Sequence, residues 1–134
     1  MVNENLIVNN SNQKLILVMG MRFLISLLLT IILAFVFGLW LPWWSIAVAS
    51  FATAVLLRQS SVKSFLVGFI SLFILWGVLA WWIDIKNQSI LSKKIAMVLP
   101  LGGSSFLLIL VTAFIGALVA GCAALSGSFL RSAK

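Results

Sequence analysis

The sequence predicts an all-α integral membrane protein: four transmembrane helices in two antiparallel hairpins, with both termini on the cytoplasmic side. Three observations predict it. Hydrophobic residues make up 63% of the 134 residues and charged residues only 8%, against about 25% charged in a typical soluble domain. The apolar residues gather into four long runs separated by short polar stretches. These runs are apolar all round, which suits helices facing lipid and not a soluble bundle with polar outer faces. A chain this short cannot hide so much apolar surface inside one water-facing globule.

The first fourteen residues, MVNENLIVNNSNQK, are polar and Asn-rich and read as a flexible N-terminal tail. They lack a basic region, and no small-residue cleavage site follows the first apolar run, so that run reads as a retained helix and not a signal peptide. Residues 15–134 then form a single transmembrane domain. Phe23 to Leu39 carries no charge and meets the lower limit of about 17 residues for crossing ~30 Å of hydrocarbon. The first span is placed at 22–40, with Arg22 able to snorkel to the headgroups. Pro42 cannot continue that helix but fits the first turn of the next, so a tight turn is expected near Leu41-Pro42. The second span, 43–57, ends at Arg58.

Arg58 to Lys63 is a short polar loop, and the third span is 64–83. Asp84 to Lys94 is the longest polar connection. Ile95 to Leu101 is too short to span, so residues 95–103 either lie in the membrane interface or extend the fourth helix at a kink. The fourth span is 104–125.

Two signals set the orientation. Four spans place Lys14, Arg22, Arg58, Lys63, Arg131 and Lys134 on one side, and Lys86, Lys93 and Lys94 on the other. Basic residues are retained in the cytoplasm, so Arg22, Arg58, Lys63 and Arg131 read as cytoplasmic charge anchors. Trp40, Trp43, Trp44, Trp81 and Trp82 all fall at the opposite ends of their helices. Indole favours the interface because its ring is apolar while its N–H seeks a polar partner. These five therefore read as an interfacial belt.

The fourth span carries Ala113, Gly116, Ala117, Ala120, Gly121 and Ala124. Small residues four apart share a helix face and let two backbones approach closely. Such a face serves either a partner, another membrane protein or a second copy, or packing within this same bundle. Ser26, Thr30, Ser50, Thr53, Ser71 and Thr112 place hydroxyls on the spans. They could line a polar path, but such hydroxyls more often bond back to their own helix carbonyls. Cys122 reads as a small buried helix residue.

Chemistry is sparse. There is no His, and Glu4 and Asp84 are the two acids. None of the four span cores carries an ionisable group of the kind that marks proton or ion pathways. Asp84 sits at an outer boundary, where a surface ion pair with Lys86 is expected. Ser89 or Ser92 beside Lys93 is a nonspecific Ser/Lys spacing, and Asn87-Gln88-Ser89 is a weak glycosylation match. Gly102-Gly103 resembles no phosphate-binding loop. With two acids and no His, catalytic residues, cofactors and metals are not expected, and nucleic acid is not expected because the basic residues form no stripe with interleaved aromatics.

The functional expectation is a small multi-pass protein of a bacterial inner membrane. It would act as an accessory, assembly or interaction subunit, in contact with the lipid bilayer and with another membrane protein or itself through the fourth helix. The alternative is an oligomeric small channel, holin-like pore or transporter subunit.

Overall fold

The computed structural model describes residues 3–132, and all the regular structure among them is helical. Five helices follow in order: α1 (Asn3–Trp40), α2 (Ser45–Leu56), α3 (Ser61–Lys86), α4 (Ile90–Val98) and α5 (Ser105–Ser132). α5 packs along α3 and α2, and α1 packs on the other sides of α2 and α3. α4 touches only α5 and α3.

Among the described residues three helices, not four, are long and apolar enough to cross a membrane: α1, α3 and α5. α2 has 12 residues, about 18 Å of helix. The expected second span is shortened from both ends. Ser45 N–H donates to Pro42 O at 2.9 Å, so Trp43 and Trp44 belong to the turn. At the other end Leu57 is already extended.

The remaining helices outrun their expected spans. α1 is continuous from Asn3, so the segment read as a flexible tail is helical wherever it is described; Met1 and Val2 lie outside the described residues. No Gly or Pro interrupts Asn3 to Lys14, and Glu4 in the first turn complements the helix dipole. α5 continues through Ser126-Gly127-Ser128. Both serine hydroxyls there bond back to α5 carbonyls, Ser126 to Cys122 O at 2.9 Å and Ser128 to Leu125 O at 2.7 Å. Lys134 lies outside the described residues.

Residues 95–103 do not extend the last span. α4 is a separate helix, and the chain turns through Gly102 (φ 62°) and Gly103 (φ 75°) before α5 begins. Both glycines occupy the left-handed region that a β-carbon disfavours. The turn before α4 is tighter still, because Gln88 (φ 51°) and Ser89 (φ 57°) adopt left-handed backbone without being glycine. Asp84 holds that turn. Its carbonyl accepts from Ser89 N–H at 2.9 Å and its Oδ2 from Ser89 Oγ at 2.8 Å. The expected ion pair with Lys86 does not form: residues two apart point to different helix faces, and Lys86 Nζ lies 5.7 Å from the centre of the Trp82 ring.

The core is small-residue packing. Ala34, Ile46, Ala49, Leu72 and Ala120 are buried together, with Leu33, Phe37, Leu75 and Trp76 against them. The predicted face of the last span lies within this core: Ala113, Ala117, Ala120, Gly121 and Ala124 are buried, and Gly116 rests against Trp76. Gly121 faces the Phe65 ring. This face is therefore occupied inside the chain by α3 and α2, the second of the two uses open to it. Gly68 of α3 shows how close the approach is. A β-carbon there would stand 2.7 Å from Ala120 O. Cys122 is exposed, contrary to its reading as buried. It lies two residues from both Ala120 and Ala124, hence on the far side of α5.

Candidate functional site

The basic residues meet at one end of the bundle. Arg22 comes from α1, Arg58 from the α2–α3 loop and Lys63 from the first turn of α3. All three line one cleft of about 260 Å³ together with Met19, Phe23, Gln59 and Ser60. Arg22, Arg58 and Gln59 also line an adjoining cleft of about 370 Å³ whose apolar walls are Ile25 and Leu57. Arg131, near the end of α5, reaches the same loop. Its guanidinium donates to Ala54 O at 2.9 Å, Leu57 O at 2.5 Å and Gln59 O at 2.7 Å. A helix leaves its last carbonyls without partners, and one planar cation serves Ala54 in the last turn of α2 together with Leu57 and Gln59 in the connection that follows.

Beneath the basic rim lies a seam of hydroxyls. Ser26, Thr30, Ser50, Thr53, Gln59 and Ser64 surround a cavity of about 10 Å³, about the space of one water molecule. Most hydroxyls of the spans bond back to their own helices, as read. Ser26 donates to Arg22 O at 2.7 Å, Thr30 to Ser26 O at 2.8 Å, Thr53 to Ala49 O at 2.9 Å and Thr112 to Leu108 O at 2.8 Å. Ser71 crosses instead to Leu27 O at 3.3 Å, tying α3 to α1. Ser50 Oγ, Ser64 Oγ and Gln59 Oε1 face the cavity without a protein partner.

Gln59 joins rim and seam. Its Nε2 donates to Ser26 Oγ and to Arg22 O, the latter at 3.3 Å, while its own carbonyl accepts from Arg131. Neither Gln59 nor the capping role of Arg131 emerged from the sequence. A lone amide at the end of an apolar run was the one available signal, and its partners lie 33 to 72 residues away.

The tryptophans occupy the opposite end. Trp40, Trp43, Trp44, Trp81 and Trp82 are all exposed. Trp43 and Trp76 share a groove with Ile46, Thr112 and Gly116, so the start of α2 lies level with Trp76 of α3 and with Thr112 and Gly116 of α5. Arg22 to Trp40 on α1, and Lys63 to Trp81 on α3, each span 18 residues, or about 27 Å along a helix. Two helices thus give the same separation between cations and indoles, close to the ~30 Å of a bilayer core.

This arrangement can bind but is poorly equipped for bond-making. The rim offers guanidinium and ammonium donors, and the seam offers neutral hydroxyls and an amide. No carboxylate or imidazole lines the clefts or the cavity, so general acid–base work has no ordinary agent there. At the tryptophan end a mainly apolar cavity of about 370 Å³ opens between α3, α4 and α5, walled by Ile83, Leu91, Ile95 and Leu108, with Asp84, Asn87 and Ser92 also on its lining. No protein-family model, curated protein or solved structure matches the chain.

Proposed function

We propose that the chain is a non-catalytic membrane protein that serves as an accessory, assembly or interaction subunit of a bacterial inner-membrane complex. It inserts as two hairpins, with the basic rim and both termini in the cytoplasm. The short α2 completes the first hairpin through the interface, helped by Trp43 and Trp44 at one end and Arg58 at the other.

The observation that carries a partner is the length of α1. Leu15 to Met21 stands beyond Arg22, and its six large apolar side chains are between 48% and 69% exposed. Seven residues add about 10 Å of helix. The headgroup layer beyond the hydrocarbon is about 5–7 Å deep on each side, so this collar extends past the membrane surface. An apolar helix there is uncovered unless another protein packs on it. The partner surface is thereby moved from the small-residue face of α5, which the bundle itself occupies, to the projecting part of α1.

The channel or transporter alternative has less support. Four of the six hydroxyls that motivate it, Ser26, Thr30, Ser50 and Thr53, turn inward around a cavity of about 10 Å³, and four of the six are bonded to their own helices.

Single cysteines in a Cys122→Ser background test both parts. Ser60→Cys and Gln88→Cys are expected to react with an impermeant maleimide from opposite sides of sealed vesicles. Leu17→Cys is expected to cross-link to one protein in the native membrane. Labelling of Ser60→Cys and Gln88→Cys from the same side would overturn the hairpin arrangement, and absence of any Leu17 cross-link would overturn the partner.

A further inference from the structure

We infer that Arg22, Arg58 and Lys63 form a binding site for the phosphate of an anionic phospholipid, with an acyl chain lying against Ile25 and Leu57. Three cations from three separate segments line two adjoining clefts that share Arg22, Arg58 and Gln59. Like charges held this close repel one another unless a counter-anion sits among them. Among the described residues none supplies one. Glu4 lies 18 residues before Arg22 on α1, about 27 Å away along the helix, and Asp84 is bonded to Ser89 at the opposite end of the bundle. Arg131 is committed to the carbonyls of Ala54, Leu57 and Gln59, which leaves the other three to meet a ligand.

The chemistry of the clefts selects a phosphate carried on a lipid. Guanidinium forks match phosphate oxygens with paired, charge-assisted hydrogen bonds. Met19, Phe23, Ile25 and Leu57 form apolar walls beside the cations, and a free inorganic anion gains nothing from these. The site also lies at the right depth. It is about 27 Å along α1 from the indole belt, where the phosphates of one leaflet begin. Basic pockets between membrane helices on the cytoplasmic side recognise anionic headgroups. The inference rests on the two ends of the bundle lying at the two membrane faces, and not on the identity of any protein partner.

The test uses the full chain reconstituted into vesicles of equal parts phosphatidylcholine and phosphatidylglycerol, extracted in mild detergent and read by native mass spectrometry. The wild type is expected to retain phosphatidylglycerol in preference to phosphatidylcholine. Arg58→Gln with Lys63→Gln is expected to lower that retention about 25-fold, about fivefold for each cation near the surface. Lys93→Gln with Lys94→Gln removes the same charge at the indole end and is expected to leave retention unchanged. Circular dichroism verifies that each variant keeps its helix content. Equal retention of both lipids by the wild type would overturn the site. So would an equal loss in the two double variants, which would mean attraction to net charge alone. Displacement of phosphatidylglycerol by added inorganic phosphate would overturn the assignment to a lipid. A wild-type chain that washes off the vesicles in alkaline carbonate would instead bring down the membrane placement, and the site with it.

Discussion

Gly68 faces α5 so closely that one added methyl group has no room. In Gly68→Ala the new carbon would lie 2.7 Å from Ala120 O, 2.9 Å from Ala124 Cβ and 3.1 Å from Ala120 C. Favourable carbon contacts are roughly 3.5–4.0 Å, and two of these three atoms are backbone that cannot rotate aside. The helices must separate, and overpacking of this kind costs about 1–3 kcal/mol. Alanine returns about 0.5–1 kcal/mol as the better helix former, leaving a net loss centred on about 1 kcal/mol and reaching at most about 2.5 kcal/mol. Gly38 is the internal control. Nothing lies within 4 Å of a β-carbon there, so Gly38→Ala keeps the helix gain without the clash. The assay is reversible unfolding of both variants in mixed micelles, titrated with sodium dodecyl sulfate. The expected order of stability is Gly38→Ala, wild type, Gly68→Ala. A Gly68→Ala protein as stable as the wild type would show that α3 and α5 do not meet at this distance.

Arg131→Ala strips the carbonyls of Ala54, Leu57 and Gln59 of their donor and is expected to cost about 2 kcal/mol in the same titration. Arg131→Lys should recover less than half, because a point charge cannot serve all three acceptors at once; full recovery would contradict the capping role. Cys122 faces outward on α5, nine residues and about 13 Å from Arg131 along the helix, so lipid should shield it from water. It is expected to resist water-soluble maleimide in intact membranes and to react after dissolution in sodium dodecyl sulfate, whereas rapid labelling in membranes would place it in water. Gln88→Gly removes a left-handed non-glycine residue and is expected to stabilise the turn before α4 by about 1 kcal/mol. Faster amide exchange at Lys93 in that variant would count against it.

The parts of this fold that were legible in the sequence are those governed by local pattern and by the bilayer. The apolar runs marked α1, α3 and α5, Pro42 marked the first turn, and the separation of Arg22, Arg58, Lys63 and Arg131 from the tryptophans marked two ends that the structure keeps apart. Helix lengths were less legible because polarity is not a stop signal. The Asn-rich segment and Ser126-Gly127-Ser128 look like ends, yet no proline breaks either, and the two serines of the latter bond into the helix. α2 failed in the other direction: the Pro42 turn draws in both following tryptophans, which composition alone would have assigned to the helix. The small-residue face of the last span was legible as a face but not as to its occupant, since the same Ala and Gly spacing suits a neighbouring helix of any chain. Cys122 illustrates the remainder. Its position relative to Ala120 and Ala124 already put it on the far side, but the reading of it as buried weighed residue type over helix phase. The site was visible only as separate cations. What joins them, Gln59 and the Arg131 cap, depends on contacts across more than thirty residues that no local pattern encodes.

The proposed role stands or falls most directly on native-size analysis of the chain gently extracted from its own membrane, in the wild type and in a Leu17→Lys variant. A stoichiometric assembly with one other membrane protein, or with a second copy, that dissociates in Leu17→Lys is the expected result. A wild-type chain that runs alone with only lipid bound, or an assembly that Leu17→Lys leaves intact, would contradict a subunit that docks through the projecting end of α1.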